Sequence, residues 1–212
     1  MDSLTVACVY KPSSEFTPDY VYRLRDGVEL YCPRPYTFVV LTDEKLPGCE
    51  TVSLSLDLPG WWNKLDLFRP GLFSGRVAYF DLDTMIVGDL TKLLSAKHEF
   101  SVLRDFYGKH RIGSGAMVWD ADKDWSHLYS RFRKERIPEY SKSMDKWGDQ
   151  GWIADHLGVE PDRLQDKCPG QIVSYKVDVQ KQRQVPDGAA VVCFHGKPRP
   201  HQIGWALPGV MN

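Results

Sequence analysis

The strongest constraint on the fold is a pattern that the chain repeats three times: an apolar, β-rich run that ends on polar residues. "LTVACVY" spans Leu4 to Tyr10, "TFVVLTD" spans Thr37 to Asp43, and "RVAYFDLD" spans Arg76 to Asp83. Runs that are continuously apolar, rather than alternating, belong to strands covered on both faces. Separated by helical or loop segments, they predict an α/β domain with a mostly parallel central sheet flanked by helices, Rossmann-like in layout. Ligands of such sheets collect beyond the carboxyl ends of the strands. Tyr10, Asp43, Asp81 and Asp83 are therefore expected along one edge.

After the first strand, "KPSSEFTPDY" breaks the pattern with Pro12 and Pro18, and the rest of the chain fits this plan. "WWNKLDLFRPGLF" sets Leu65, Phe68 and Leu72 at helical spacing, carries Lys64, and stops near Pro70 and Gly71. A short helix is expected at "TKLLSAKHEF", a strand at "SVLRDFYG", and a glycine-bearing approach to another strand at "RIGSGAMVWD". "DADKDWSHLYSRFRKERI" places Trp125, Leu128, Tyr129 and Phe132 on one helical face, with acids at its start where the helix dipole favours them. "GDQGWIADHLG" predicts a helix from Asp149 to near Gly158, and "GAAVVCFHGKPRPHQ" a late strand, Ala190 to Phe194, running into a basic loop. "YKVDVQKQRQVPDG" is too polar to place. No linker or composition break divides the 212 residues, so a single domain over 1–212 is expected.

Bulk properties narrow the function classes. A formal net charge of -1, with 26% charged residues, offers no electrostatic footprint for nucleic acid. No stretch approaches the ~18 apolar residues of a membrane span, and the N-terminus lacks the basic flank and apolar region of a signal peptide. Cys8, Cys32, Cys49, Cys168 and Cys193 are scattered without CxxC spacing, which reads as reduced cysteine in a cytoplasmic protein. Nothing in these numbers decides against a homo-oligomer.

Asp81 and Asp83 are the unusual feature. Aspartate is depleted in strands and costly to bury without a partner. On a strand, alternate residues share a face, so the pair would repel unless a proton or a cation lay between them. A hard divalent ion, Mg²⁺ or Mn²⁺, meets that demand and keeps positions open for phosphate oxygens. A solvated turn is the plain alternative. "FDLDT" also resembles the opening motif of haloacid dehalogenase-like phosphatases, with Asp81 as nucleophile and "GDQGWIAD" as the acidic closing motif. Two strands precede it here, however, and Thr84 stands where that family usually has glycine.

Four stretches together resemble the GT-A type nucleotide-sugar glycosyltransferases, most closely glycosyltransferase family 8, the glycogenin and galactosyltransferase-like group. "NKLDLF" looks like its Lys-Leu helix, "VAYFDLDTMIVGDL" like its DxD metal strand, "IGSGAMVWD" like its "NSGVMV" strand and "GDQGWIAD" like its "DQGLLN" helix. The likeness runs from Val6 to about His201. The family closes with His-Phe-x-Gly-x-x-Lys-Pro-Trp, and "CFHGKPRPH" departs from it: aligned on Phe194 and Gly196, Cys193 takes the His position and Arg199 the Lys position.

The resemblance implies a metal-dependent glycosyltransferase, a retaining hexosyltransferase that uses a UDP-sugar, UDP-glucose or UDP-galactose, on a glycan, lipid, protein or modified-base acceptor. It implies Mn²⁺ or Mg²⁺ on Asp81, Asp83 and, since a soft thiol suits these ions poorly, His195. Gly196, Lys197 and Arg199 would meet the diphosphate. Tyr10 would stack on the base, Asp43 would bond base or ribose, and Lys64 would contact phosphate or sugar. Ser114 and Gly115 would allow close approach of the sugar. Asp149 and Gln150 would be the catalytic pair, Asp149 on sugar hydroxyls and Gln150 near the anomeric carbon. The phosphatase and a catalytically idle sugar-nucleotide-binding module are the rival readings.

Overall fold

The structure, a computed structural model, describes residues 3–205, so residues 1–2 and 206–212 of the expected 1–212 domain lie outside the described residues. Five α-helices occur among the described residues: α1 (Pro18–Tyr31), α2 (Thr91–Ser95), α3 (His127–Ser130), α4 (Gly148–His156) and α5 (Leu164–Lys167). The strands are β1 (Leu4–Val9), β2 (Thr37–Leu41), β3 (Glu50–Val52), β4 (Arg76–Phe80), β5 (Thr84–Ile86), β6 (Phe100–Arg104), β7 (Ile112–Asp120), β8 (Asp162–Arg163), β9 (Ile172–Ser174) and β10 (Val191–Cys193).

Seven strands form the central sheet in the order β3-β2-β1-β4-β7-β6-β8. β1, β2, β3 and β4 run parallel, and β7 is antiparallel to both β4 and β6, so β7 alone reverses direction in this sheet. This is the mostly parallel, helix-flanked α/β sheet that the apolar runs predict. Alternation along β4 shows why both faces are covered: Val77 and Tyr79 pack on one side with Trp62, Leu65 and Trp152, while Ala78 and Phe80 pack on the other with Val21, Leu24 and Leu93. A second sheet, β5-β10-β9, has its own apolar cluster around Met85, Val192 and Phe194. The chain passes from β4 to β5, and so from one sheet to the other, through Asp81-Leu82-Asp83.

Four local outcomes differ from the sequence reading. First, Asp81 and Asp83 do not lie on a strand: β4 stops at Phe80, and the Thr84 amide donates to the Asp81 carbonyl at 2.9 Å, closing a turn. Second, α1 is absent from the sequence reading, which treats Pro12 and Pro18 as breakers. Pro18 sits instead in the first turn of α1, where its missing N–H costs nothing, and Val21, Leu24 and Val28 bury one stripe of the helix. Third, the helix expected over "DADKDWSHLYSRFRKERI" shrinks to α3, although Trp125, Leu128 and Phe132 are buried as its spacing implies. The Asp120 and Asp124 carboxylates accept from the Asp122 and Ser126 amides at 3.0 and 2.9 Å, and such local turns compete with helix. "WWNKLDLF" likewise winds as a tight 3-10 turn, Gly60–Phe68, with Trp62 and the run from Asn63 to Phe68 buried.

Candidate active site

At the carboxyl ends of β1 and β4, and beside β7, a buried polar cluster interrupts the apolar layers. Its centre is Lys64. The 3-10 turn directs this side chain inward, where it is 3% exposed. Its ammonium lies 3.0 Å from Asp81 Oδ1 and 3.1 Å from Asp149 Oδ2, and it donates to Ser114 Oγ at 3.0 Å. Ser114 in turn donates to Asp149 Oδ2 at 2.6 Å. Burial works against the Lys64 charge, but the pull of Asp149 and Asp81 outweighs it and holds the ammonium above its ordinary range. Four residues that the sequence scattered over 86 positions, Lys64, Asp81, Ser114 and Asp149, thus meet in one network.

Tyr79 also belongs to it. Its hydroxyl donates to Asp81 Oδ1 at 2.5 Å, and its ring lies 5.4 Å from the Lys64 ammonium. Two positions before Asp81, it shares that residue's side of the chain, a period-2 signal that the sequence reading overlooked. Gly115 supplies the carbonyl that accepts from the Asp81 amide, and a Cβ added to it would stand 3.1 Å from Asp81 Oδ2, so the glycine keeps that oxygen clear. Gln150 follows Asp149 in the first turn of α4 and is partly exposed.

Asp83 turns the other way. Its carboxylate is ion-paired with Arg199 Nη1, while Arg199 Nη2 and Nε reach Glu15 Oε2 at 3.1 and 3.3 Å. Burial raises the Asp83 carboxyl to about 7, the Asp81 charge adds to the rise, and Arg199 opposes it. Strand pairing explains the contact. β10 lies antiparallel to β5 with Cys193 opposite Thr84, and the Phe194 amide donates to the Asp83 carbonyl at 3.3 Å, so the basic loop after β10 is delivered to the turn. Lys197 Nζ is 3.4 Å from Glu15 Oε1, and the Arg199 guanidinium lies 4.9 Å from the Phe16 ring. Nothing in the sequence points to Glu15, which sits in an irregular loop.

Other expected site residues lie apart. His195 does not join the carboxylates through its ring: Nε2 is 2.6 Å from Ser174 Oγ, and the ring stacks on Phe106 at 5.1 Å with Tyr107 edge-on. Burial, aided by Lys176, lowers it to about 4 and keeps it neutral. β10 ends at Cys193 and the chain leaves the strand beyond it, so Cys193 feels the Asp83 and Asp81 charges while the His195 ring turns to Ser174. Tyr10 is 2% exposed, packed in the core on the α1 side rather than open to a base. Asp43 is exposed, and its Oδ1 accepts from the Leu54 amide at 3.1 Å. Gly196 adopts φ 77°, with Lys176 Nζ 3.4 Å from where a Cβ would be.

The donor set does not fit the expected Mn²⁺ or Mg²⁺ chelate. Among the described residues no three His, Cys, Asp or Glu side chains gather where they could hold a metal ion. Asp81 Oδ1 is taken by Lys64 and Tyr79, and Asp83 Oδ2 by Arg199. The Cys193 thiol is pushed up by burial and by Asp83, so it stays protonated. No helix among the described residues is long and apolar enough to cross a membrane, and all five cysteines are free.

No family model matches the sequence, and no curated protein matches it. Solved structures do. The apo form of the glycosyltransferase GlyE from Streptococcus pneumoniae TIGR4 aligns with a TM-score of 0.61 at 14% identity, over 94% of this chain and 56% of GlyE. A glycosyltransferase involved in glycosylation of the major capsid of PBCV-1 aligns with a TM-score of 0.56 at 14% identity, covering 94% of this chain and 96% of the other. The galactosyltransferase LgtC, solved with donor and acceptor sugar analogs, gives 0.54 at 12% identity over 92% of this chain and 88% of LgtC. The chain therefore spans little more than half of GlyE and most of the other two, and its fold is the GT-A-type glycosyltransferase fold.

Proposed function

We propose that this chain transfers a hexose from a UDP-sugar, UDP-glucose or UDP-galactose, to an acceptor with retention at the anomeric carbon. The observation that carries the reading is the Lys64 network: a buried ammonium joins Asp81, Ser114 and Asp149 at the carboxyl ends of a mostly parallel sheet, in a fold shared with solved glycosyltransferases. Ligands of such sheets bind at that edge. The names of the aligned proteins support glycosyl transfer as the reaction class, and the UDP-hexose donor follows from the sequence resemblance to family 8.

In this reading the loop after β10 receives the diphosphate, with Lys197 and Arg199 giving charge-assisted hydrogen bonds. Asp149, fixed by Lys64 and Ser114, accepts hydrogen bonds from sugar hydroxyls. Gln150 faces the anomeric carbon and stabilises its oxocarbenium-like charge, and Asp43 meets the ribose. Gly115 lets the sugar approach Asp81. The exposed indoles of Trp61 and Trp147 flank the start of α4, with Trp61 Nε1 2.8 Å from where a Cβ on Gly148 would be, and offer an acceptor sugar two faces to stack on. The phosphatase reading is not carried further, because β1 and β2 precede Asp81 and the aligned structures are glycosyltransferases.

The test is a panel of nucleotide sugars screened for slow donor hydrolysis, read as free nucleotide released over time. Turnover of one UDP-hexose above the others, lost in Asp149→Asn, is the expected result. Release from none of them would refute the enzyme reading and leave the idle binding module.

A further inference from the structure

We propose that the positive charge a divalent cation would supply to Asp81 and Asp83 is built into the chain as Lys64 and Arg199, and that this site binds its nucleoside diphosphate without a metal ion. The inference rests on the UDP-sugar reading above. Its first support is pairing. Each carboxylate has a cation against it, Lys64, shared with Asp149, on Asp81 at 3.0 Å and Arg199 on Asp83, so two positive charges stand where a divalent ion would bring two. Both cations are held in place: Lys64 is 4% exposed in its side chain and Arg199 17%.

The second support is the geometry of Arg199. A guanidinium presents donors on more than one edge and keeps its charge at any pH a protein survives. Here one edge meets Asp83, and Nη2 and Nε meet Glu15 at 3.1 and 3.3 Å. Arg199 therefore already bridges a fixed carboxylate and a second anion, the relation a metal has to a carboxylate and a phosphate oxygen. The second anion is exchangeable. The Glu15 side chain is 38% exposed, and it draws Lys197, 70% exposed, to 3.4 Å. A diphosphate oxygen would take the Glu15 position, between the same two cations, while Asp83 keeps its partner.

The third support is what a metal would have to undo. Binding an ion between Asp81 and Asp83 would expel the guanidinium from a buried carboxylate and set it against the incoming charge. The chain holds Arg199 against that displacement through the Phe16 ring at 4.9 Å and through Gln202, whose Oε1 accepts from the Arg199 amide at 2.8 Å. The third ligand is missing as well, since His195 is engaged with Ser174, and Cys193 is a buried thiol.

Calorimetry of the full chain with UDP, in EDTA and separately with Mn²⁺, tests this. Equal affinity in the two buffers, within about threefold, is expected, since an ion shared by Asp81 and Asp83 would first have to displace Arg199. UDP binding that is at least about tenfold tighter with Mn²⁺ would overturn the inference while leaving the UDP-sugar reading intact. No UDP binding in either buffer would instead remove the reading beneath it. Arg199→Ala, checked for folding by circular dichroism, should lose UDP affinity in EDTA and regain part of it with Mn²⁺, because Asp83 is then free. Unchanged affinity in EDTA would overturn the role of Arg199. If Arg199→Ala fails to fold, Glu15→Gln serves in its place: removing the competing anion should tighten UDP binding several-fold in EDTA, and no change would refute the exchange.

Discussion

Replacing Lys64 with methionine keeps most of the unbranched side chain and removes the one positive charge that joins the network. The structure lets the cost be apportioned. Asp149 is 7% exposed in its side chain and would retain only the Ser114 hydroxyl, so it is left as a buried and nearly unpaired carboxylate. Asp81 is 35% exposed and retains the Tyr79 hydroxyl, so water screens its loss. Asp149 therefore dominates, and removing one partner of a buried pair costs about 3–5 kcal/mol. With a urea slope of roughly 2 kcal/mol/M, the unfolding midpoint should fall by about 2 M. Unfolding is followed by fluorescence of the seven tryptophans. A double-mutant cycle isolates the cause: Asp149→Asn, added to Lys64→Met, removes the stranded charge and should restore roughly 2 kcal/mol. A loss below about 1 kcal/mol for Lys64→Met, or additivity in the cycle, would refute the argument that Lys64 holds these carboxylates in place.

Two further outcomes follow from packing and titration. Gly151→Ala should cost about 1–3 kcal/mol or more, because the added Cβ would meet the Lys146 carbonyl carbon at 2.5 Å and its oxygen at 2.6 Å, both backbone, and a urea midpoint within error of the parent would contradict this. His195, lowered from 6.5 to about 4, binds fewer protons in the native than in the unfolded chain between those values, so its contribution weakens the fold as pH falls through 6.5 toward 4. Asp83, raised from 3.8 to about 7, works the other way across that whole window, so the His195 effect is read as a difference. Measured as Tm against pH, His195→Asn should lose less stability on acidification than the parent, and parallel curves would rule the assignment out.

Much of this architecture is legible in the sequence because burial leaves a compositional trace. β1, β2 and β4 are continuous apolar runs since both faces are covered, and Leu65, Phe68 and Trp152 are apolar because the sheet excludes water from them. α1 escapes notice because Pro12 ahead of it and Pro18 at its first position resemble breakers, and the shortened α3 is overread because aspartate turns and helix starts use the same residues.

The chemistry divides differently. Lys64, Asp81, Ser114 and Asp149 are nameable from their motifs, but that all four share one hydrogen-bonded centre follows only from placing β4, β7, α4 and the 60–68 turn side by side. The pairing of Asp83 with Arg199 depends on β10 running antiparallel to β5, 116 residues separating the two partners, and Glu15 enters through a loop with no pattern at all. The assignment of His195 to the carboxylates fails for a related reason. The strand ends at Cys193, so alternation no longer fixes the side chains that follow; the motif brings a ring to the right loop, and tertiary structure decides that Cys193 lies toward the acids and His195 toward Ser174. The sequence by itself determined which residues are apolar and which polar groups end the strands, because those are local properties. Which charge neutralises which was decided only in the tertiary structure, because electrostatic partnership depends on distance in space and on the exclusion of water, neither of which is written in the order of the chain.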